Sequence, residues 1–494
     1  MWVNMLKVLM VLLNKKFNRR EAISTAAKIS VATGLAAVAG GVVGYSAGSL
    51  TAPRDTIITR TVTQTVTGAP EKVELQVWDI ETDPGPYDAM EKAIEVFETE
   101  YPNVTVKREA KSLSEQTTAV MAALQAGRGG DVIVVNNGET MMGPLVRAGL
   151  IIPLDSYAVK YGWFKKAFSP YIWKRAMYSR DGSVFGVGNL YAVSFRSEIV
   201  GVFYNKNIFR DLGAGVPQTL QELEDVLDRA KRAGYIPLAI GGLTDWPFFH
   251  LFGAIQASFL AHEFGSPLKA QEYIDDIVLS WREDRTWVKD GNKKAIQKIQ
   301  DWIKKGYFPE GFTGMTIEEA LASFKAGKAA VFLQGNWYAA EIAEALGPKN
   351  VGFFPVPPIE KGEAMPPQIG GMGTPHGISI FSPHQDIAAK FLDLYMLHPE
   401  VIQTLVAKGV LPAVPVPLER VERDTLMYDT AVVFNKTLER GTMWHYLDWT
   451  TPTMWDTMSE AGFLVYSLEI EPDEFVRRVE EDYRAWQARK PKPA

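Results

Sequence analysis

The chain has 494 residues, of which 47% are hydrophobic and 22% charged. These values are ordinary for a soluble globular protein of two or three domains, and they exclude a polytopic membrane protein, a collagen and a disordered body. The formal net charge of −6 lacks the basic character of a nucleic-acid-binding protein, so no nucleic-acid partner is expected. The sequence contains no cysteine and six histidines, none in a His-Glu-x-x-His pair. We therefore expect no disulfide, no thiol catalysis, no metal and no cofactor.

The first 50 residues are predicted to direct export. A basic cluster that ends at Arg19-Arg20 precedes residues 29–53, which carry no charged side chain. That length spans a bilayer, and the basic flank predicts that the N-terminus stays inside while the body lies outside. Residues 18–24 resemble the twin-arginine export signal, with Ala22 where that signal prefers Phe. Residues 37–39 form an Ala-x-Ala cleavage site, so a retained membrane anchor and a cleaved signal both stay open.

Residues 51–72 are predicted to form a linker. Threonine alternates with other residues between Thr59 and Thr67, a composition typical of an extended stalk. A short strand buried at the edge of the body is the alternative.

From residue 73 onward, strand and helix patterns alternate. Val73–Trp78 is predicted to be a strand, and helices are predicted at 90–101 and 113–126. Asp131–Val135 is a short apolar run, as buried parallel strands are. This alternation predicts an α/β fold with a doubly wound sheet. Because ligands bind at the carboxyl ends of the strands in such sheets, the segments that follow these two strands are the first candidates for a site.

The rest of the chain repeats the alternation. Strands are predicted at Val200–Tyr204, Ile236–Ile240 and Ala329–Leu333. The predicted helices are 220–233, 247–262, 269–280, 292–305, 317–326, 386–398, 400–408, 452–468 and 472–487.

Five short segments follow one another in a recognisable order. They are Phe97–Val106, Gly130–Leu154, Val202–Lys206, Phe324–Trp337 with its Gly335-Asn336-Trp337 end, and Gly370–Ile380 with its Gly370-Gly371 start. In this order they resemble the extracellular solute-binding proteins of ABC importers, specifically the maltose-binding-like family for sugars. The resemblance covers residues 73 to about 487.

The resemblance implies a type II periplasmic-binding-protein-like fold, in which two lobes, each a sheet flanked by helices, are joined by hinge crossovers. The family's chain path implies a first lobe of residues 73–197 with 375–415, and a second lobe of residues 198–370 with 418–490. It further implies that a sugar or oligosaccharide is trapped in the cleft by hinge closure and delivered to the transmembrane subunits of an ABC permease, and only indirectly to its cytoplasmic ATPase.

Catalysis is not expected from the resemblance. The protein would act at the extracellular face of the cytoplasmic membrane, or secreted or periplasmic after cleavage. A secreted glycoside hydrolase, which also combines carboxylates and tryptophans, is the alternative from another functional class. The same fold with a non-sugar solute is a second alternative.

A sugar requires aromatic platforms for its apolar faces and planar acceptors for its hydroxyls. The resemblance implies that Trp337 occupies the family's Gly-x-Trp stacking position and that Trp455 is a second platform. Core packing is the alternative for both, and Trp444 and Trp449 compete with Trp455. Trp246, in a loop after two glycines, is a further candidate platform.

The polar candidates lie at strand ends. The resemblance implies that Glu198, at the crossover, is a ligand-binding carboxylate; a solvated surface charge is the alternative. The other candidates are Asp79, Glu81 and Asp83 after the first strand, Asn137 and Glu139 after the strand that begins at Asp131, and Gly371. At least one of the three acids after the first strand is expected to face the cleft.

The chain departs from the family's maltodextrin binders at two strand ends. It has acidic residues in the loop after the first strand, where the maltose-binding pattern has a lysine. It has Val135-Asn136-Asn137 where those proteins carry a tryptophan. Both departures leave open a sugar other than maltodextrin.

Overall fold

The computed structural model describes residues 71–492. The predicted export signal or anchor at 1–50, and the predicted linker up to residue 70, lie outside the described residues. Within residues 71–492, none of the helices combines the length and the apolar character needed to cross a membrane.

Twelve β-strands form the sheets of the described chain. They are β1 (Val73–Asp79), β2 (Val104–Ala110), β3 (Val132–Val134), β4 (Met177–Tyr178), β5 (Asn189–Leu190), β6 (Ser197–Asn205), β7 (Ile236–Ala239), β8 (Ala329–Gly335), β9 (Val351–Phe354), β10 (Gln368–Met372), β11 (His376–Ile378) and β12 (Met443–Trp444).

Eighteen α-helices pack around these strands in the described chain. They are α1 (Pro84–Glu100), α2 (Leu113–Gln125), α3 (Met142–Arg147), α4 (Asp155–Tyr161), α5 (Trp163–Lys166), α6 (Pro170–Trp173), α7 (Lys206–Asp211), α8 (Leu220–Arg232), α9 (Trp246–Glu263), α10 (Pro267–Val278), α11 (Asp290–Lys304), α12 (Ile317–Lys325), α13 (Ala339–Leu346), α14 (Gln385–Leu397), α15 (Pro399–Ala407), α16 (Leu426–Arg440), α17 (Met454–Tyr466) and α18 (Pro472–Arg489).

The first sheet has the strand order β11-β3-β1-β2. β1 pairs in parallel with both β2 and β3, and β11 closes the sheet antiparallel to β3. All three residues of β3 are buried, as the continuous apolar run predicts for an internal strand. The carboxyl ends of β1 and β3 therefore lie at one edge of this sheet.

The second sheet has the order β12-β10-β6-β8-β7, with β9 also paired to β6. β6 begins at Ser197, earlier than the predicted Val200, because its first residues pair with β10 and only its later ones pair with β9. The longest helix beside this sheet, α9, is buried on nearly every side, and its sequence is correspondingly apolar all round.

Three chain segments run side by side between the two sheets. Val193 and His376 exchange backbone hydrogen bonds of 2.9 and 2.7 Å, and the Gly373 N–H donates to the Arg196 carbonyl at 3.0 Å. The third segment, around Ala413, is connected to the first by a hydrogen bond from the Ala413 N–H to the Phe195 carbonyl at 2.8 Å.

The predicted α/β architecture with two helix-flanked sheets is confirmed. The residue boundaries predicted for the two lobes stay a prediction.

Candidate functional site

A cavity of about 230 Å³ lies between the two sheets, and we call it the interlobe cavity. From the first sheet it receives the loop after β1, with Asp83, and the loop after β3, with Asn136 and Asn137. The carboxyl ends of these two strands meet at this edge, as expected for a parallel sheet. From the second sheet it receives Glu198 of β6 and a set of aromatic side chains.

The aromatic side of the cavity is built from residues that are far apart in the sequence. Trp246, the first residue of α9, and Trp337, in the turn after β8, have ring centroids 6.0 Å apart with their planes inclined by 65°. His250 lies against both, 5.1 Å from Trp246 and 5.4 Å from Trp337. Trp455, in the first turn of α17, packs edge-on against Phe249 at 5.2 Å. Together they form a partly apolar wall.

Hydrogen bonds to Asp245 fix the positions of Trp246 and Trp455 in this wall. The indole N–H of Trp455 donates to Oδ2 of Asp245 at 2.8 Å, while Oδ1 of Asp245 accepts the Trp246 N–H at 2.8 Å. One carboxylate therefore both caps α9 and orients a ring from α17.

Gly335 determines where the Trp337 ring lies. A Cβ built on Gly335 comes within 1.8 Å of the Trp337 indole. The indole thus lies directly over the end of β8. A side chain on any residue other than glycine at position 335 would occupy the same space as the indole.

A buried ion network connects the two sheets beside the cavity. Arg196 donates through Nε to Glu81 at 3.1 Å and pairs through Nη1 with Glu198. The Tyr446 hydroxyl donates to the other oxygen of Glu198 at 2.9 Å. Glu81 comes from the loop after β1 and Glu198 from β6, so Arg196 bridges groups from both sheets.

Burial alters the protonation of the groups around the cavity. It raises the pKa of Glu81 to about 7, although the neighbouring Arg196 opposes this shift. It raises the pKa of Asp83 to about 6 and that of Asp448 to about 7. Burial also lowers the pKa of His250 to about 4, so this imidazole is neutral at neutral pH.

The family of the chain follows from its sequence. The sequence model of the family of bacterial extracellular solute-binding proteins matches residues 82–401. This match covers more than half of the 494 residues. The chain belongs to this family.

The sequence is similar to two named sugar-binding proteins. The chain is 25% identical over 354 residues to the maltotriose-binding protein of Pyrococcus abyssi, a match that covers 69% of both chains. It is 25% identical over 295 residues to the maltodextrin-binding protein of Bacillus subtilis, covering 59% of this chain and 62% of that one.

Solved structures share the fold. A chitin oligosaccharide binding protein superposes with a TM-score of 0.70 at 18% identity, covering 84% of this chain and 99% of that chain. The predicted type II periplasmic-binding-protein-like fold is confirmed. Family and structural neighbours are binding proteins rather than enzymes.

Six of the residues predicted to contact ligand line the interlobe cavity. They are Asp83, Asn137, Glu198, Trp246, Trp337 and Trp455. Trp449, the competitor of Trp455, lines it as well. The structure thus brings together candidates from six separate stretches of the sequence.

The other five candidates lie outside the lining, and each has another contact. Asp79 is buried in an ion pair with Arg108, at 2.8 Å. Glu139 is buried between Arg147, at 2.7 Å, and Tyr178, at 3.0 Å.

Glu81 pairs with Arg196 beside the cavity. Gly371 lies against the Arg175 side chain, whose Nη1 is 2.4 Å from the position of a Cβ. Trp444 is buried, and its indole N–H donates to Gln256 at 3.2 Å.

Several lining residues escaped the sequence analysis, among them Arg196, His250, Tyr446 and Asp448. The sequence around Asp448 could have identified it. A carboxylate within the aromatic stretch 443–449 is expected to be buried, and acidic residues are rarely buried without a role. His250 and Tyr446 had no such signal, because aromatic side chains in apolar stretches usually pack a core.

Proposed function

We propose that the chain is the extracellular substrate-binding subunit of an ABC importer. In this proposal it captures a sugar or oligosaccharide in the interlobe cavity and delivers it to the transmembrane subunits of the permease. The observation that carries the proposal is the pairing of indole rings with carboxylates and amides in one cavity between the two sheets.

The chemistry of the lining suits a saccharide. Sugar rings have apolar C–H faces, which the rings of Trp246, Trp337 and Trp455 are suited to cover. Their hydroxyl groups need acceptors and donors, which Asn137 and Glu198 supply. Glu198 keeps free lone pairs after binding Arg196 and Tyr446, because a carboxylate has about four acceptor sites.

The relatives support this ligand class. Those described above bind maltotriose, maltodextrin or chitin oligosaccharide according to their names. Because the identities are low, the relatives support a saccharide rather than any particular one.

Five residues receive a positioning role in this proposal. Asp79 and Glu139 orient Arg108 and Arg147, and Glu81 orients Arg196, the partner of Glu198. Gly371 admits the Arg175 side chain, and Trp444 of β12 packs in the core beside the second sheet.

Residues 1–50 are proposed to carry the chain across the cytoplasmic membrane and, where uncleaved, to anchor it there. Retention in the membrane fraction after a salt wash, with release by detergent, is the expected behaviour of an anchored protein. A mature N-terminus at Gly40 would show cleavage instead.

A thermal-shift screen against mono- and oligosaccharides tests the proposal. Ligand at 100 times Kd stabilises the folded state by about 2.7 kcal/mol, so a binder raises the melting temperature measurably. The saccharides are also analysed after incubation and are expected to be intact, since the protein is proposed to bind without catalysis. A chain that melts cooperatively but responds to no saccharide contradicts the proposal.

A further inference from the structure

The interlobe cavity is lined by more negative than positive groups. Asp83, Glu198, Glu318 and Asp448 line it, whereas Arg196 is the one cationic side chain in its lining among the described residues. The charge of Arg196 is already shared between Glu81 and Glu198. His250 adds no charge, because burial lowers its pKa to about 4.

Asp448 is the buried acid of this set that faces no cation. Arg196 compensates Asp83 and Glu198, and Glu318 is exposed. It is 5% exposed and lines the cavity. Within residues 71–492, the donor to its carboxylate is its own backbone N–H, and no cationic side chain contacts it. Burial, followed by repulsion from Asp245, raises its pKa to about 7. A buried carboxylate with no cationic neighbour is costly, so a cation from the ligand is the group that this position lacks.

Helix N-termini near the cavity do not supply that positive charge. α2 begins at Leu113, α9 at Trp246 and α12 at Ile317, and their first turns place Leu113, Trp246 and Glu318 in the lining. Each start is already occupied by its own capping side chain. The caps are the Ser112–Glu115 box on α2, Asp245 on α9 and the Thr316–Glu319 box on α12.

The aromatic wall also suits a cation. Trp246, Trp337 and Trp455 line the cavity together with Asp448. Trp449 does not count toward this wall, because the Arg175 guanidinium already lies over its ring, 5.8 Å from the centroid. Ring faces of Trp and Tyr attract ammonium groups through their quadrupole, most strongly where water is excluded. Carboxylate and ring faces therefore favour the same sign of charge.

We infer that the saccharide captured by this cavity is an amino sugar whose free ammonium group lies against the Asp448 carboxylate. This inference rests on the proposed function, since it names the class of saccharide for the same cavity. Neutral saccharides would satisfy the hydroxyl-binding groups but leave Asp448 without a counter-ion.

A matched pair of ligands tests the inference. Glucosamine oligosaccharides and their fully N-acetylated counterparts of equal length share a skeleton and differ in charge. Isothermal titration calorimetry at pH 7 and low salt is expected to give at least about tenfold tighter binding of the amino form, because hydrogen bonds between charged groups are the stronger ones. Raising the ionic strength is expected to narrow that preference.

Two variants test whether Asp448 is responsible for the preference for the amino form. Asp448→Asn keeps the shape of the side chain and removes its charge, and it is expected to lower the amino-to-acetyl affinity ratio about tenfold. Asp290→Asn, at an exposed position outside the cavity, is expected to leave the ratio unchanged. The melting temperature of each unliganded variant verifies its folding.

The outcomes separate the two proposals. Saccharides that bind without preference for the amine, or a preference that Asp448→Asn does not reduce, overturn the amino-sugar inference and leave the proposed function standing. If a folded protein binds neither these oligosaccharides nor any in the thermal-shift screen, the proposed function itself is overturned.

Discussion

Trp337 is held in place by its neighbours rather than by its own backbone. Its ring lies over Gly335 and meets Trp246 and His250 at inclined angles. The side chain is partly exposed in the cavity, so it contributes less to the core than a fully buried tryptophan does. Because Trp337 lines the cavity but is only partly buried, its replacement is expected to affect ligand binding more than folding.

Replacing Trp337 with alanine is expected to weaken saccharide binding about 30-fold or more. Loss of a tryptophan at the centre of a binding site commonly costs about 2 kcal/mol or more, and about 1.4 kcal/mol corresponds to tenfold in Kd. Calorimetry measures the affinity, and Phe463→Ala, at an exposed aromatic position, is the control. Unchanged affinity with a lowered melting temperature would assign Trp337 to packing.

Replacing Gly335 with alanine is expected to weaken binding through Trp337. The added methyl group occupies the space of the indole, so the ring must move although its chemistry is intact. In a double-mutant cycle, Gly335→Ala is expected to cost affinity in the wild-type background and little in the Trp337→Ala background. Gly314→Ala is the control, because nothing lies within 4 Å of its added Cβ. Additive losses would show that Gly335 acts independently of Trp337.

At the scale of elements, the crossover into β6 carries the charge that connects the two sheets. Arg196 immediately precedes β6 and reaches Glu81 after β1 as well as Glu198 within β6. All three side chains are buried. A buried ion pair adds little relative to apolar packing, but removing one partner leaves an uncompensated charge.

Arg196→Met is therefore expected to destabilise the folded chain by about 3–5 kcal/mol. The loss is expected to be larger at pH 8 than at pH 5. Burial already raises the pKa of Glu81 to about 7, so the variant leaves that carboxylate ionised without its cation only at the higher pH. Thermal unfolding at both pH values measures this. Arg477→Met, which removes the exposed pairs with Glu474 and Glu481, is expected to melt close to wild type. Equal melting temperatures for both variants would contradict a role for the network.

At the scale of the whole molecule, buried acids and buried histidines oppose each other in the pH dependence of stability. Burial lowers the pKa of His250 and of His376 to about 4. The unfolded chain binds more protons at these sites, so they raise the free energy of unfolding as the pH rises from about 4 to about 6.5. Burial raises the pKa of Glu81 and of Asp448 to about 7. These acids lower the free energy of unfolding as the pH rises from about 4 to about 7.

Asp448→Asn is expected to stabilise the unliganded protein at high pH. The wild type must ionise a buried carboxyl above pH 7, and the amide removes that cost. The variant is expected to melt about 2 °C or more above the wild type at pH 8, and the difference is expected to shrink as the pH falls toward 4. A difference that does not change with pH would contradict the assigned ionisation of Asp448.

Much of the fold was readable from the sequence because its signals are local. The apolar run after Asp245 predicted a helix at 247–262, and α9 occupies Trp246–Glu263. The short apolar run at 131–135 predicted an internal strand, and β3 is one. Hydrophobic periodicity and helix ends are determined by residues only a few positions apart. A single sequence is therefore enough to predict them.

The choice among acids after the first strand was decided only by the tertiary structure. Asp79, Glu81 and Asp83 are spaced equally, yet Asp79 pairs with Arg108, Glu81 pairs with Arg196, and Asp83 lines the cavity. Their partners are brought from a neighbouring strand and from the crossover. Because a carboxylate's environment depends on which distant cation folds against it, the sequence by itself determined where the acids lie along the chain, and only the tertiary structure determined which of them faces a ligand.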